Sequence, residues 1–226
     1  MRDTFADIED FVDTNTGMKR GQGGHDIKTC TWNAGGLDDV KAETFCLYMI
    51  HNNIDVGFLN DIRLTAEECE HSKRKIKGMF EDESFVASSA VLDPGTVNGK
   101  VGGQLVIVRA AWRTAVTNVV RDKAGLGGVL VIYLKTRRHT IAIANTYWPA
   151  RTCETRADSN SLYSKYKKWM REVGMHGDPI DYIRNTLEER LDKQKSKGHP
   201  SILMGDFNAH WGGGCNILRP RGLVGR

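Results

Sequence analysis

The run Gly205-Asp206-Phe207-Asn208-Ala209-His210 holds the residues best suited to chemistry in this chain. It follows Ser201-Ile202-Leu203-Met204, an apolar stretch that reads as a short buried strand. Asp206 and Asn208 then sit just past a strand's C-terminal end, where open α/β sheets carry their chemistry. A carboxylate and a carboxamide two residues apart, beside a glycine turn, can align a water and a phosphate. Three further apolar runs end in the same way. They deliver Asn33 with Gly35-Gly36, then Asn60-Asp61, then Asn145-Thr146-Tyr147-Trp148-Pro149. If the strands are neighbours, these polar groups converge on one edge of the sheets. Read one at a time, they keep ordinary structural explanations. Asp61 can cap a following helix, with Asn60 in the turn. Tyr147 can be a packing aromatic, Asn33 can serve the glycine turn, and His210 can be a surface turn residue.

The elements that must position these groups mix hairpins with helical crossovers. Lys28 to Asn33 and Asp55 to Leu59 read as strands, with a helix over Asp39 to Asn52 whose apolar positions are Val40, Phe45, Leu47, Tyr48 and Ile50. Glu67 to Lys77 reads as a charged helix, and Ser84 to Val91 as a strand ahead of the turn Asp93-Pro94-Gly95. Gly102 to Val108 and Ala115 to Val120 follow as strands. Val129 to Leu134 and Thr140 to Asn145 flank the basic turn Lys135 to His139. A polar stretch, Arg151 to Asn160, leads to two helices, Ser161 to Val173 and Pro179 to Lys197. The second repeats Ile180, Ile183, Leu187 and Leu191 at core-facing spacing. The pattern predicts an α/β (α+β) class, with sheets covered by helices on their outer faces. Residues 1–27 read as a flexible lead-in, 28–211 as the folded domain, and 212–226 as a Gly/Arg-rich tail.

Composition narrows the partners. A chain of 226 residues, 40% hydrophobic and 27% charged, can bury one sizeable core. No apolar run is long enough to cross a bilayer, and the polar start is unlike a signal peptide. An intracellular protein, nuclear or cytoplasmic, with no membrane partner is expected. The net charge of +4 leans towards anionic partners. Basic clusters lie at His71 to Lys77, Lys135 to His139 and Ser164 to Lys168; the first could track a nucleic-acid backbone and the second could touch one, or they are a solvated helix face and a solvated turn. Cys30, Cys46, Cys69, Cys153 and Cys215 are scattered and odd in number, which predicts reduced thiols and neither a zinc site nor a disulfide framework.

Taken in order, Trp32 to Leu37, Leu59 to Leu64, Gly102-Gly103 before a strand, Asn145 to Pro149 and Gly205 to His210 resemble the motifs of the DNase-I-like endonuclease/exonuclease/phosphatase superfamily. The resemblance spans Lys28 to His210 and is closest to apurinic-type endonuclease domains of non-LTR retrotransposons. It implies a layered sandwich of two mixed β-sheets flanked by helices, and a Mg²⁺- or Mn²⁺-dependent phosphodiesterase acting on DNA. It also implies residue roles. Asn33 supports the metal and phosphate site, and Asp61 stands where a glutamate usually binds the metal. Tyr147 contacts the scissile phosphate, Asp206 orients or deprotonates the attacking water, and Asn208 positions the phosphate. His210 is familiar in retroelement forms of the motif.

The chain departs from that pattern twice. Asp61 is one methylene shorter than glutamate, which predicts weakened metal affinity because Mg²⁺ demands near-ideal octahedral geometry. No Ser-Asp-His-type segment follows Asp206, and none of the seven histidines stands in such a context. The expectation is a C-terminally truncated, monomeric, retroelement-derived domain that lacks the last strands, whose partner can be the remainder of a retroelement polyprotein, and that can be either active or inactive as this chain. Two alternatives stand beside it: a non-catalytic remnant that binds nucleic acid or protein, and a phosphatase of small phosphate esters.

Overall fold

The computed structural model describes residues 26–81, 84–89, 101–150 and 161–208. Residues 1–25, the Asp93-Pro94-Gly95 turn, the stretch 151–160, His210 and the 212–226 tail lie outside them. In chain order the elements are β1 (Thr29–Asn33), α1 (Asp39–His51), β2 (Val56–Asn60), α2 (Ala66–Met79), β3 (Ser84–Ser89), β4 (Gln104–Arg109), a short α3 (Ala110–Arg113), β5 (Val116–Arg121), β6 (Val129–Lys135), β7 (Thr140–Tyr147), α4 (Leu162–Glu172), α5 (Pro179–Lys195) and β8 (Ser201–Asp206). They build two mixed four-stranded sheets, ordered β1-β2-β4-β3 and β5-β6-β7-β8. β1 runs parallel to β2, and β7 parallel to β8; the other neighbours are antiparallel.

Strand periodicity explains the layering. Successive side chains point to opposite faces, and here both faces of the central strands are covered. Val106 and Val108 of β4 face the second sheet and pack with its Leu130, Ile132 and Ile143, while Leu105 and Ile107 face α1 and α2. In the second sheet Val129, Val131, Ala142 and Ala144 turn outwards onto α4 and α5. Three apolar layers result: helices on sheet, sheet on sheet, and sheet on helices. Double burial is why these strands read as nearly continuous apolar runs.

Local signals start the helices. Thr65 and Glu68 form a reciprocal capping box on α2, Asp38 and Ser161 cap α1 and α4, and Asp178 caps α5 ahead of Pro179. α1 buries Ala42, Phe45, Cys46 and Met49, an i, i+3, i+4, i+7 stripe. Val40, Leu47 and Ile50 lie off that stripe and are exposed, so only part of the apolar set read from the sequence serves the core. Cys30, Cys46 and Cys69 are buried and not disulfide-bonded. Among the described residues no helix is long and apolar enough to cross a membrane.

Candidate active site

The C-terminal ends of β1, β2, β7 and β8 meet at one edge of the sandwich. Within the first sheet Asn33 lies level with Asn60, and Asn60 with Gln104; in the second, Tyr147 lies level with Asp206. A side-chain bond closes the gap between sheets. Asn33 Nδ2 donates to Asp206 Oδ2 at 2.7 Å, while Asn33 Oδ1 accepts from Gly35 N at 3.1 Å. Asn33 therefore serves the glycine turn and the acidic group together.

Asp206 is held from both sides. Its Oδ1 accepts from the backbone N–H of Asn208 at 2.9 Å, and Asn208 itself adopts a left-handed φ of 44°. Asn208 Nδ2 donates to the Trp148 carbonyl at 2.5 Å. Among the described residues each carboxylate oxygen of Asp206 thus has one protein donor and a remaining lone pair, on a half-buried side chain. Gly205 lets β8 come this close. Its φ is 142°, and a Cβ there would sit on the carbonyl oxygen of Thr146.

Tyr147 stands beside these groups. Burial, then the negative charges of Asp61 and Asp206, push its phenol up to about 12, against smaller opposing effects of Arg63 and of a hydrogen bond with Asn208. Its hydroxyl stays protonated and able to donate.

Asp61 is 4% exposed and has a left-handed φ of 51°. Its Oδ1 accepts from Gly102 N at 2.9 Å, and its Oδ2 accepts from Arg63 Nε at 3.0 Å and Nη2 at 2.6 Å. It does not cap α2, because Thr65 does. Gly102 makes the approach possible. Its φ is +77°, and a Cβ would meet Leu126 O and the Leu162 side chain.

Beneath the edge lies a buried polar cluster. Asn145 Oδ1 accepts from Thr31 Oγ1 at 3.0 Å, and its Nδ2 donates to Asn60 Oδ1 at 2.6 Å and Gln104 Oε1 at 3.1 Å. Asn60 Nδ2 donates to Thr31 Oγ1 at 3.1 Å, and Gln104 Nε2 to Gly127 O at 2.8 Å. Every member stands within two residues of a site group: Thr31 of Asn33, Asn60 of Asp61, Gln104 of Gly102, and Asn145 of Tyr147. The cluster ties the two sheets at the depth that sets the spacing above. Lys41 of α1 adds support from behind, donating to Ala34 O and Gly36 O at 2.8 and 2.9 Å.

The edge brings together Asn33, Tyr147, Asp206 and Asn208, with Asp61 near enough for its charge to act on Tyr147. Sequence reasoning missed Arg63, Lys41 and Gln104. Arg63 had a signal, a cation two residues after the acidic group. Gln104, a polar residue opening an apolar strand, had another.

The resemblance assigns Asp61 and Asn33 to a divalent metal, but the residues present do not fit a resident ion. Arg63 already neutralises Asp61, Gly102 N takes its other oxygen, and the Asn33 amide oxygen faces Gly35 N. Among the described residues no three His, Cys, Asp or Glu side chains form a metal-binding group.

No family model matches the chain, and no curated protein does. Solved structures do. A 3'-5' exonuclease (NExo) from Neisseria meningitidis is 14% identical over 80% of this chain and 57% of its own, with a TM-score of 0.53. A humanized D. rerio TDP2 is 14% identical, covering 82% and 63%, with a TM-score of 0.45. An AP endonuclease from Archaeoglobus fulgidus is 13% identical, covering 81% and 58%, with a TM-score of 0.47. This chain spans less than two thirds of each matched structure. Two mixed four-stranded sheets flanked by helices, matched over most of the chain by the Neisseria structure, make this an endonuclease/exonuclease/phosphatase-like fold.

Proposed function

We propose that the chain is a phosphodiester-hydrolysing domain of endonuclease type that acts on DNA, derived from a retroelement and working inside the cell. The observation that carries the reading is Asp206. Its two oxygens are fixed by Asn33 and by the backbone of Asn208, with a protonated Tyr147 level with it on the next strand. In this reading the free lone pair of Asp206 takes a proton from the attacking water as the new P–O bond forms. Tyr147 and Asn208 hold the phosphoryl oxygens, and the departing oxygen is protonated by solvent. Mg²⁺ or Mn²⁺ enters only if Arg63 first leaves Asp61.

A second reading is binding without turnover, favoured by the Arg63–Asp61 pair. A nicking assay on supercoiled plasmid separates the two. Nicking by the wild type that disappears in Asp206→Ala supports hydrolysis, and salt-sensitive DNA binding with no nicking supports the remnant. Turnover of a small phosphomonoester with no effect on DNA would move the substrate to the phosphatase class. Nicking that survives in Asp206→Ala refutes the assignment.

A further inference from the structure

Arg63 is a cation bonded directly to a carboxylate of the candidate site. Its guanidinium lies on Asp61 Oδ2 through both Nε and Nη2, in a contact held by the fold rather than by chance of rotamer. Asp61 and Arg63 both adopt left-handed backbone, with φ of 51° and 54°, a conformation that costs about 1 kcal/mol or more per non-glycine residue. Surrounding bonds fix it. Arg63 N donates to Gly102 O at 2.9 Å, Gly36 N donates to Asp61 O at 2.7 Å, and the arginine stem passes over Gly36. The carboxylate is buried, whereas the Arg63 side chain is 46% exposed, so part of it is open to solvent. The same guanidinium acts electrostatically on the Tyr147 hydroxyl. A planar fork with donors left over, anchored at its base by a buried carboxylate, suits a phosphate oxygen.

The geometry points to Arg63 as the site's own phosphate-binding cation, seated on Asp61 where a divalent ion would otherwise lie, so that DNA is bound without metal. This rests on the reading that the edge takes a phosphodiester. An ion arriving at Asp61 must expel a positive charge held by two hydrogen bonds, and Mg²⁺ gains too little from one carboxylate to do so readily.

Two titrations test it, neither of which depends on turnover. Bound Mn²⁺ is followed by electron paramagnetic resonance in the wild type, Arg63→Gln and the double variant Asp61→Asn/Arg63→Gln. Removing the guanidinium should tighten Mn²⁺ binding by about tenfold or more, and removing the carboxylate as well should abolish the gain. Anisotropy of a labelled DNA duplex is then measured at constant ionic strength in EDTA and in MgCl₂. Wild-type affinity should be the same in both, and Arg63→Gln should lose about tenfold in EDTA, with Arg63→Lys recovering part of it. Equal Mn²⁺ affinity in wild type and Arg63→Gln overturns the inference. So does DNA binding that requires the metal, or an Arg63→Gln variant that binds DNA like the wild type in EDTA. Thermal melting confirms that the variants fold, which the exposed guanidinium leads us to expect. A hydrolase reading that fails through persistent nicking in Asp206→Ala leaves these binding results standing, so the two ideas fail separately.

Discussion

Replacing Asn145 by leucine should unlock the two sheets without touching any group at the candidate site. Asn145 is fully buried, and leucine shares its branch at Cγ but is bulkier, so lost hydrogen bonds and some overpacking both lower stability. Three partners lose their bond: Asn60 Oδ1, Gln104 Oε1 and the Thr31 hydroxyl. Asn60 is 1% exposed and Gln104 0%, so water cannot replace the lost donor without opening the core. Each orphaned buried group costs about 1–3 kcal/mol. Burying the leucine side chain returns about 2 kcal/mol. The net loss is about 4 kcal/mol, within a range of about 1–7, a large share of the roughly 5–15 kcal/mol that holds a domain together. Urea unfolding followed by tryptophan fluorescence and by circular dichroism measures it, with the denaturant slope checked for constancy. The double variant Asn60→Leu/Asn145→Leu adds the sharper test. It removes both ends of one bond, so its loss should fall short of the sum of the single losses. A single-variant loss under about 1 kcal/mol at unchanged slope, or strict additivity in the pair, would refute the coupling argued for this cluster.

Gly205→Ala should cost several kcal/mol, on the order of 3 or more, because the new Cβ lands on Thr146 O and forces β8 away from β7; loss of any DNA nicking should accompany the drop in melting temperature. Tyr147, held up at about 12 against an ordinary value of 10.0, contributes stability that is fully present below pH 10 and is lost as pH rises through the native value. Tyr147→Phe should flatten that alkaline slope in unfolding measured from pH 9 to 12. Cys46 is fully buried, and burial raises its thiol to about 12. Mass-mapped alkylation at pH 8 should therefore leave it unlabelled in the native protein and label it in urea.

The strands were legible because the sandwich buries both of their faces. Leu105-Val106-Ile107-Val108 and Val129-Leu130-Val131-Ile132 announce themselves as apolar runs, and Asp38, Thr65 and Asp178 mark helix starts by local chemistry. The short α3 carries no side-chain cap and so had no such signal. Pairing between distant elements was invisible for a physical reason. Asn33 and Asp206 are 173 positions apart, and Thr31 and Asn145 are 114 apart, so nothing local records which strand ends meet. The order of weak motifs stood in for that missing distance information. The strand ends it singled out do meet at one edge, but it could not reveal that Arg63 engages Asp61 across a left-handed stretch of backbone.

The two aspartates at this edge share a residue type and have opposite circumstances, and the fold decides which can act. Asp61 is buried, bonded by a backbone N–H and twice by a guanidinium, on a loop whose strained backbone is fixed by the neighbouring sheet. Moving it would break all of those contacts at once, so it suits a permanent anchor. Asp206 ends an outer strand, half-buried, with one donor per oxygen among the described residues and a lone pair left on each. It can exchange a solvent partner without disturbing the core. A reacting water needs the second kind of carboxylate, and a phosphate-binding arginine needs the first. Tyr147, kept protonated first by burial and then by both negative charges, is the group through which a change at one aspartate should be felt at the other.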